Sequence, residues 1–270
     1  MTIATDGAVT MHLHMTRDET YNLLRTAYSA TEARELTRWM VEEGGGEESL
    51  SRLLLGEPVQ YVFEHALWMG LDLRVTSATL IPRPETAELV EAVERENMSR
   101  KHRSLRILDI GTGSGCIAIA LKTKHPEWRV EACDISCEAL AIAHENAQRN
   151  GTDLTLFRCD ILGDAPDGPY DLIVSNPPYI CESEKNSMES RVLDYEPARA
   201  LFVPDQEPLL FYERIGRLAA DGLLAPDGQM FFEVNERFGD ATVNLFRSLG
   251  RQHVTLTKDM FGKDRVVIVS

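Results

Sequence analysis

The chain has 270 residues, 43% of them hydrophobic and 26% charged, which suits one large domain, or one domain with a small companion, around a real core. A formal net charge of −15 argues against a duplex nucleic-acid binder, which needs a basic footprint to neutralise phosphates. Met1 to Met15 has neither a basic leader nor an apolar core. No apolar run approaches the ~20 residues that span a bilayer, and five cysteines suggest no disulfide framework. The expectation is a reducing, cytoplasmic compartment, with no signal peptide and no membrane.

In chain order, Leu23, Leu24 and Tyr28, then Leu36, Trp39 and Met40, fall at helical spacing. Gly44-Gly45-Gly46 stops the second helix, and Glu48 to Leu55 predicts a third, ended by Gly56. Residues 1–65 read as a small helical domain, or alternatively as an N-terminal extension of the main domain. Leu71-Asp72-Leu73-Arg74-Val75 alternates apolar and polar, which predicts a β-hairpin between Leu67 and Leu80 and a linker over 66–82. Ile81-Pro82-Arg83-Pro84-Glu85-Thr86 is a rigid turn, followed by a helix through Leu89, Val90 and Val93.

From Leu105 strands and helices alternate. Strands are predicted at Leu105–Ile110, Trp128–Cys133, Leu154–Cys159, Tyr170–Ser175 and Gly228–Val234. Helices are predicted at Cys116–Lys122, Cys137–Gln148, Leu209–Ala220 and Ala241–Leu249. His253–Leu256 and Arg265–Val269 close the chain with no helix between them, so they pair antiparallel. The fold class over 83–270 is α/β: a mostly parallel, doubly wound sheet with an antiparallel last strand.

The strand Ile107-Leu108-Asp109-Ile110 runs into Gly111-Thr112-Gly113-Ser114-Gly115 and then a helix. Glycines let backbone approach a ligand, and a helix start offers free N–H groups. The turn reads G-x-G-x-G with an acid before it, unlike the G-x-G-x-x-G of dinucleotide folds, and it lacks the Gly-Lys-Ser/Thr of a phosphate loop. Asp134 ends the second strand, where an acid can grip ribose hydroxyls. Asp160 follows the third, placed with Ile161 to face an adenine amino group. Helix capping and loop solvation are the bland readings of both acids. Three acids around a glycine pocket would repel a pyrophosphate but suit a sulfonium, an ammonium and a ribose. That ligand is S-adenosylmethionine. Cys133-x-x-x-Cys137 has no partner pair of matching spacing, so no metal is expected.

Asn176-Pro177-Pro178-Tyr179 follows the strand ending at Ser175. It reads either as a proline turn or as a clamp for a planar amine or amide. In the second reading the Asn176 side-chain carbonyl and the Pro177 carbonyl each accept one N–H of a substrate –NH2. Tyr179 forms a wall against the flat face.

This constellation resembles the Asn-Pro-Pro-Tyr class of methyltransferases that act on planar nitrogens in adenine, guanine or glutamine. Further segments are similar to the PrmC/HemK family of peptide-chain release factor glutamine methyltransferases. They are Gly56-Glu57-Pro58-Val59-Gln60-Tyr61, the Ile81–Thr86 block, Asp194-Tyr195-Glu196-Pro197 with Ala200-Leu201-Phe202, and the tail from Lys258 to Val267. The resemblance implies an S-adenosylmethionine-dependent methyltransferase fold with a helical, substrate-docking N-terminal domain. It implies methyl transfer to N5 of the glutamine in the Gly-Gly-Gln motif of class I release factors, leaving S-adenosylhomocysteine. Asn176, Pro177 and Tyr179 would be catalytic and, with Pro178 and Arg83, would hold substrate, and Asn176 would also contact the cofactor. Arg83 reads equally as a turn residue paired with Glu85 or a loop acid. The chain departs from the family pattern at Ala87, where Glu is usual, at Ile161, commonly aromatic, and at Val234-Asn235, where a glycine is usual.

The rivals are a nucleic-acid N-methyltransferase, acting on adenine N6 or guanine N2, and a non-catalytic binding module. Two acids and one base in Cys181-Glu182-Ser183-Glu184-Lys185 speak against the first, and no direct nucleic-acid partner is expected. Intact Gly111, Asp134, Asn176 and Tyr179 speak against the second.

Overall fold

The computed structural model describes residues 15–98 and 103–270. The leader-free reading of the N-terminus therefore falls, apart from Met15, outside the described residues. The chain divides into two compact units, with the boundary between Phe63 and Glu64.

The first unit holds α1 (Arg17–Leu24), α2 (Ala30–Glu42), α3 (Glu47–Leu54) and the short α4 (Val59–Val62). Thr16 and Ser29 cap α1 and α2, and Glu19 and Glu32 reach back to the cap N–H groups, so both starts are closed reciprocally. Leu24, Ala33, Met40, Leu50, Leu53 and Val62 form the core. Arg52 holds the turn after α3. It pairs with both Glu57 oxygens at 2.8 and 2.6 Å and donates to the Tyr61 and Val62 carbonyls.

The second unit opens with a hairpin of β1 (Ala66–Trp68) and β2 (Leu71–Leu73). Met69 and Gly70, both at positive φ, make its two-residue turn. The pairing stops at Leu73, short of the alternation that continues to Val75. The reason is Asn146, whose amide captures the next residue: its Oδ1 accepts from the Arg74 N–H at 2.6 Å and its Nδ2 donates to the Arg74 carbonyl at 2.9 Å.

The chain continues through α5 (Thr86–Asn97), β3 (Arg106–Ile110), α6 (Cys116–Lys124), β4 (Arg129–Asp134), α7 (Cys137–Arg149), β5 (Thr155–Arg158) and β6 (Tyr170–Ser175). Then come β7 (Ile180–Cys181), α8 (Ser190–Tyr195), α9 (Ala198–Leu201) and β8 (Phe202–Val203), followed by α10 (Leu210–Leu218), β9 (Leu224–Glu233), α11 (Gly239–Ser248), β10 (Val254–Lys258) and β11 (Asp264–Val269). The main sheet has the order β10-β11-β9-β6-β3-β4-β5. From β9 to β5 neighbours are parallel, and β11 runs antiparallel to both β9 and β10. This is the expected α/β architecture. β9 starts at Leu224, four residues before the predicted start at Gly228, and its pairing with β6 slips between Tyr170 and Leu172. Four residues, Ala225 to Gly228, stand opposite Asp171 alone there, and Pro226 among them has no N–H for the ladder.

Both sheet faces are buried, so successive residues enter different cores. Ile107, Leu172, Val174 and Phe231 pack with Trp68, Leu73, α5 and α6 on one face. Leu108, Ile173 and Phe232 pack with Tyr212 and Ile215 of α10 and Phe246 of α11 on the other. Cys116, Cys133, Cys159 and Cys181 are buried, Cys137 is exposed, and all five are free thiols. Among the described residues no helix is long and apolar enough to cross a membrane.

Asn146 is fully buried, and its Nδ2 also donates to the Ser114 carbonyl at 2.8 Å. One amide thus ties the glycine turn to the hairpin. Asn146→Ala leaves three backbone groups without partners and should cost about 3 kcal/mol. The thermal midpoint should then fall by roughly 6–12 °C; a midpoint within about 2 °C of wild type would contradict the clamp.

Candidate active site

The five parallel strands finish on one edge, so the turns that follow them converge. A cavity of about 770 Å³ opens there, within the range of cofactor sites. Its walls include the glycine turn, Asp134, Asp160, Asn176 and Arg83.

Gly111, Gly113 and Gly115 have φ of 73°, 55° and 82°, the left-handed region that glycine enters without strain. The Gly111 and Thr112 N–H groups donate to the Cys133 carbonyl of β4 at 2.9 and 3.0 Å. The Gly113 N–H donates to Asp134 Oδ2 at 2.9 Å. A Cβ on Gly115 would stand 3.1 Å from Ala143 and Ile119, so α6 and α7 also approach too closely there for a side chain. Gly111, Thr112, Gly113 and Ser114 line the cavity, whereas Gly115 and Asp109 do not. Asp109 is fully buried, and its Oδ2 accepts from the Thr112 hydroxyl at 2.7 Å. Burial pushes its carboxyl up to about 7.

Asp134 spends one contact per oxygen on backbone, Oδ2 on Gly113 and Oδ1 on the Ser136 N–H at 2.9 Å. A carboxylate offers about four acceptor positions, so roughly two remain for a ligand. Asp160 lies two residues beyond β5, and its Oδ1 accepts from the Leu162 N–H at 3.1 Å. Ile161 is 7% exposed and lines the cavity beside it. Arg214 of α10 clamps this loop by donating to the Ile161 and Asp164 carbonyls at 2.9 and 2.8 Å. Nothing in local spacing points to Arg214.

Asn176 sits one residue past β6. The strand end is tied to β3 by the Ser175 hydroxyl, which donates to the Ile110 carbonyl at 2.7 Å. Asn176 Nδ2 meets Thr86 Oγ1 at 3.2 Å. The Thr86 hydroxyl donates to Glu233 Oε2 at 2.7 Å, and the Tyr179 hydroxyl donates to Glu233 Oε1 at 2.9 Å. Pro177 and Pro178 line the cavity, while Tyr179 does not. Burial, together with the Glu233 charge, pushes the Tyr179 phenol up, so it stays a donor. Asn235, at the position where the family pattern has glycine, donates to the Tyr179 carbonyl at 3.3 Å. Arg83 pairs with Glu196 at 2.6 Å, whose side chain is only 2% exposed. Of the two partners considered for Arg83, the loop acid is the one it meets.

Local sequence assigns no site role to Thr86 or Glu233. Thr86 is only the last residue of the Ile81–Thr86 block. Glu233 carries a readable signal, a charge closing the apolar run Met230-Phe231-Phe232.

The pH behaviour of Asp109 is testable. Its folded value of about 7 against an ordinary 3.8 means the folded chain holds a proton that the unfolded chain has lost. That contribution is full below about 3.8 and lost as pH rises through about 7. Asp109→Asn cannot ionise, so its thermal midpoint should gain on wild type as pH climbs from 4 to 8. Parallel pH profiles for the two proteins would refute this.

Residues 86–197 match the Methyltransferase small domain family model. A release factor glutamine methyltransferase from Bacteroides thetaiotaomicron is 47% identical over 82% of this chain and 78% of that protein. A namesake from Flavobacterium psychrophilum is 44% identical over 83% and 79%. Among solved structures, a ribosomal protein L11 methylase from Lactobacillus delbrueckii subsp. bulgaricus shares 25% identity, covering 73% of this chain and 84% of that chain at a TM-score of 0.51. The human methyltransferase 10 domain containing protein shares the fold at 20% identity, covering 74% and 89% at a TM-score of 0.55. With its parallel sheet, its glycine turn and its Asn-Pro-Pro-Tyr loop on one cavity, the chain belongs to the release factor glutamine methyltransferase family, a family of S-adenosylmethionine-dependent enzymes.

Proposed function

We propose that this protein methylates N5 of the glutamine in the Gly-Gly-Gln motif of class I peptide-chain release factors, using S-adenosylmethionine. The observation that carries the reading is Asn176-Pro177-Pro178 on the same cavity as the glycine turn, in a chain 47% identical to a protein of that name.

The cavity fits the cofactor. Asp134 and Asp160 supply acceptors for hydroxyl and amino groups, Ile110, Ile135 and Ile161 supply apolar wall, and the glycine turn permits close backbone approach. When bound, S-adenosylmethionine supplies an electrophilic methyl group on a sulfonium. Gly111 to Ser114, Asp134, Asp160 and Ile161 would hold it, with Asp109 acting through Thr112 and Gly115 through helix packing.

An amide nitrogen is a poor nucleophile because its lone pair is delocalised. Asn176 Oδ1 and the Pro177 carbonyl each accept one amide hydrogen, which aims the nitrogen for an in-line displacement, after which the methylated nitrogen gives up one of these hydrogens as a proton. Both acceptors strengthen as positive charge develops on that nitrogen, so they favour the transition state over the ground state. The prolines restrict the loop beforehand, so little ordering is left to binding. Tyr179, anchored on Glu233, braces the loop, and Arg83 orders the rim through Glu196. The helical first unit docks a part of the release factor away from the methylated loop.

The test is labelled S-adenosylmethionine with a release factor, its Gln→Ala variant, DNA and rRNA. Label on the wild-type release factor alone is expected; label on nucleic acid, or on the Gln→Ala variant, would reject the reading. Asn176→Ala should cut single-turnover methylation by about 10²–10³-fold, the scale of losing one preorganised hydrogen bond to the reacting group. Cofactor affinity should stay within a few fold. Undiminished turnover in that variant would sink the clamp.

A further inference from the structure

Resting on the glutamine reading, we infer that Thr86 and Glu233 are positioning residues that decide which end of the Asn176 amide faces the substrate. The two ends of that amide have nearly the same shape and opposite polarity. The carbonyl end accepts a substrate N–H; the –NH2 end would confront the substrate –NH2 with a second pair of donors. Packing alone discriminates weakly between them, so the choice falls to hydrogen bonding.

The network leaves one answer. Glu233 is 1% exposed at the end of β9, and a carboxyl oxygen that takes a hydroxyl hydrogen is acting as an acceptor. Its two oxygens take the Thr86 and Tyr179 hydroxyls at 2.7 and 2.9 Å. Burial pushes the Glu233 carboxyl up from its ordinary value, while these two hydrogen bonds and the charge of Arg265 favour the ionised form. A threonine hydroxyl has a single proton, and in Thr86 it is committed to Glu233. Toward Asn176 the Thr86 oxygen can therefore only accept, and at 3.2 Å it takes an Nδ2 hydrogen. Oδ1 is the end that remains for the slot. Thr86 itself is 3% exposed at the start of α5 and borders the cavity beside Asn176. The polarity of a carboxylate is thus passed through one hydroxyl to an amide that it does not touch.

Reversing the polarity should reverse the slot. In Glu233→Gln the amide oxygen stays on the Tyr179 phenol, which is a better donor and poorer acceptor than an aliphatic hydroxyl, so the new –NH2 donates to Thr86. The Thr86 proton is then free to point at Asn176, which turns its carbonyl away from the substrate. In Asn176→Asp the opposite problem arises: the carboxylate oxygen that replaces Nδ2 meets a Thr86 oxygen whose proton is already used. Combining the two changes removes the conflict. The –NH2 introduced by Glu233→Gln releases the Thr86 proton, which then serves the carboxylate introduced by Asn176→Asp.

The experiment is single-turnover methylation of a class I release factor, with cofactor affinity measured separately by calorimetry. Glu233→Gln and the isosteric Thr86→Val should each lower the rate by about 10–100-fold, the scale of one lost or misdirected buried hydrogen bond, with S-adenosylmethionine affinity within about threefold. Thr86→Ser, which keeps the hydroxyl, should stay within a few fold of wild type. The decisive arm is the double variant Glu233→Gln with Asn176→Asp, expected to run at least about tenfold faster than Asn176→Asp alone, a non-additivity that lost packing would not produce. A double variant no faster than Asn176→Asp, or a Thr86→Val protein with the wild-type rate, overturns the inference while leaving the glutamine reading intact. A wild-type protein that leaves the release factor unlabelled overturns the glutamine reading and the inference with it.

Discussion

Parallel strands must all finish on the same edge of a sheet, and in β9, β6, β3, β4 and β5 that rule gathers chemistry from the whole second unit. Glu233, Asn176, the glycine turn, Asp134 and Asp160 end or follow five strands whose positions in the chain are far apart. Were β9 inserted antiparallel, Glu233 would lie at the opposite edge from Asn176. The antiparallel β11 stands outside that set, at the β9 edge, and contributes the charge of Arg265 near Glu233.

The polar groups at this edge divide into those that line the cavity and those that hold the lining in place. Asp109 supports Thr112, Asn146 supports Ser114, Arg214 supports Ile161, Ser175 ties β6 to β3, and Glu196 receives Arg83. Most of these supports are buried, where an unmade hydrogen bond costs far more than a made one gains. Rigidity in the lining therefore derives largely from groups outside it, Asp109, Asn146, Arg214 and Glu196, while Ser175 both lines the cavity and ties two strands. Asp134 belongs to both kinds, since it holds the glycine turn and still faces the cavity.

Much of this was legible in the sequence because periodicity reports burial directly. Ile107 and Leu108 go to opposite cores, as do Ile173 and its neighbours, which is why β3 and β6 read as near-continuous apolar runs. The glycine turn and the Asn-Pro-Pro-Tyr loop were legible because unusual residue types stand there together. What stayed hidden depends on partners distant in sequence. The two-residue strands β7 and β8 have no period to detect, and the hairpin ends at Leu73 because Asn146 captures Arg74 from 72 residues away. Tyr179 looked like a wall, yet its hydroxyl is drawn to Glu233, 54 residues on. Thr86 looked like the end of a proline turn, because its role exists only once β6 and β9 are beside it.

That last point bears on when the protein becomes competent during its own synthesis. Thr86 meets Asn176 across 90 residues and Glu233 across 147. Closing loops of that length is slow relative to local helix and hairpin formation. A chain emerging from the N-terminus can assemble β3, α6 and β4, with the glycine turn between them, before β9 has appeared. It cannot complete the Asn176 slot. The glycine turn and the Asn176 network are thus separated in chain order by topology, and that network closes only when nearly the whole chain is in place.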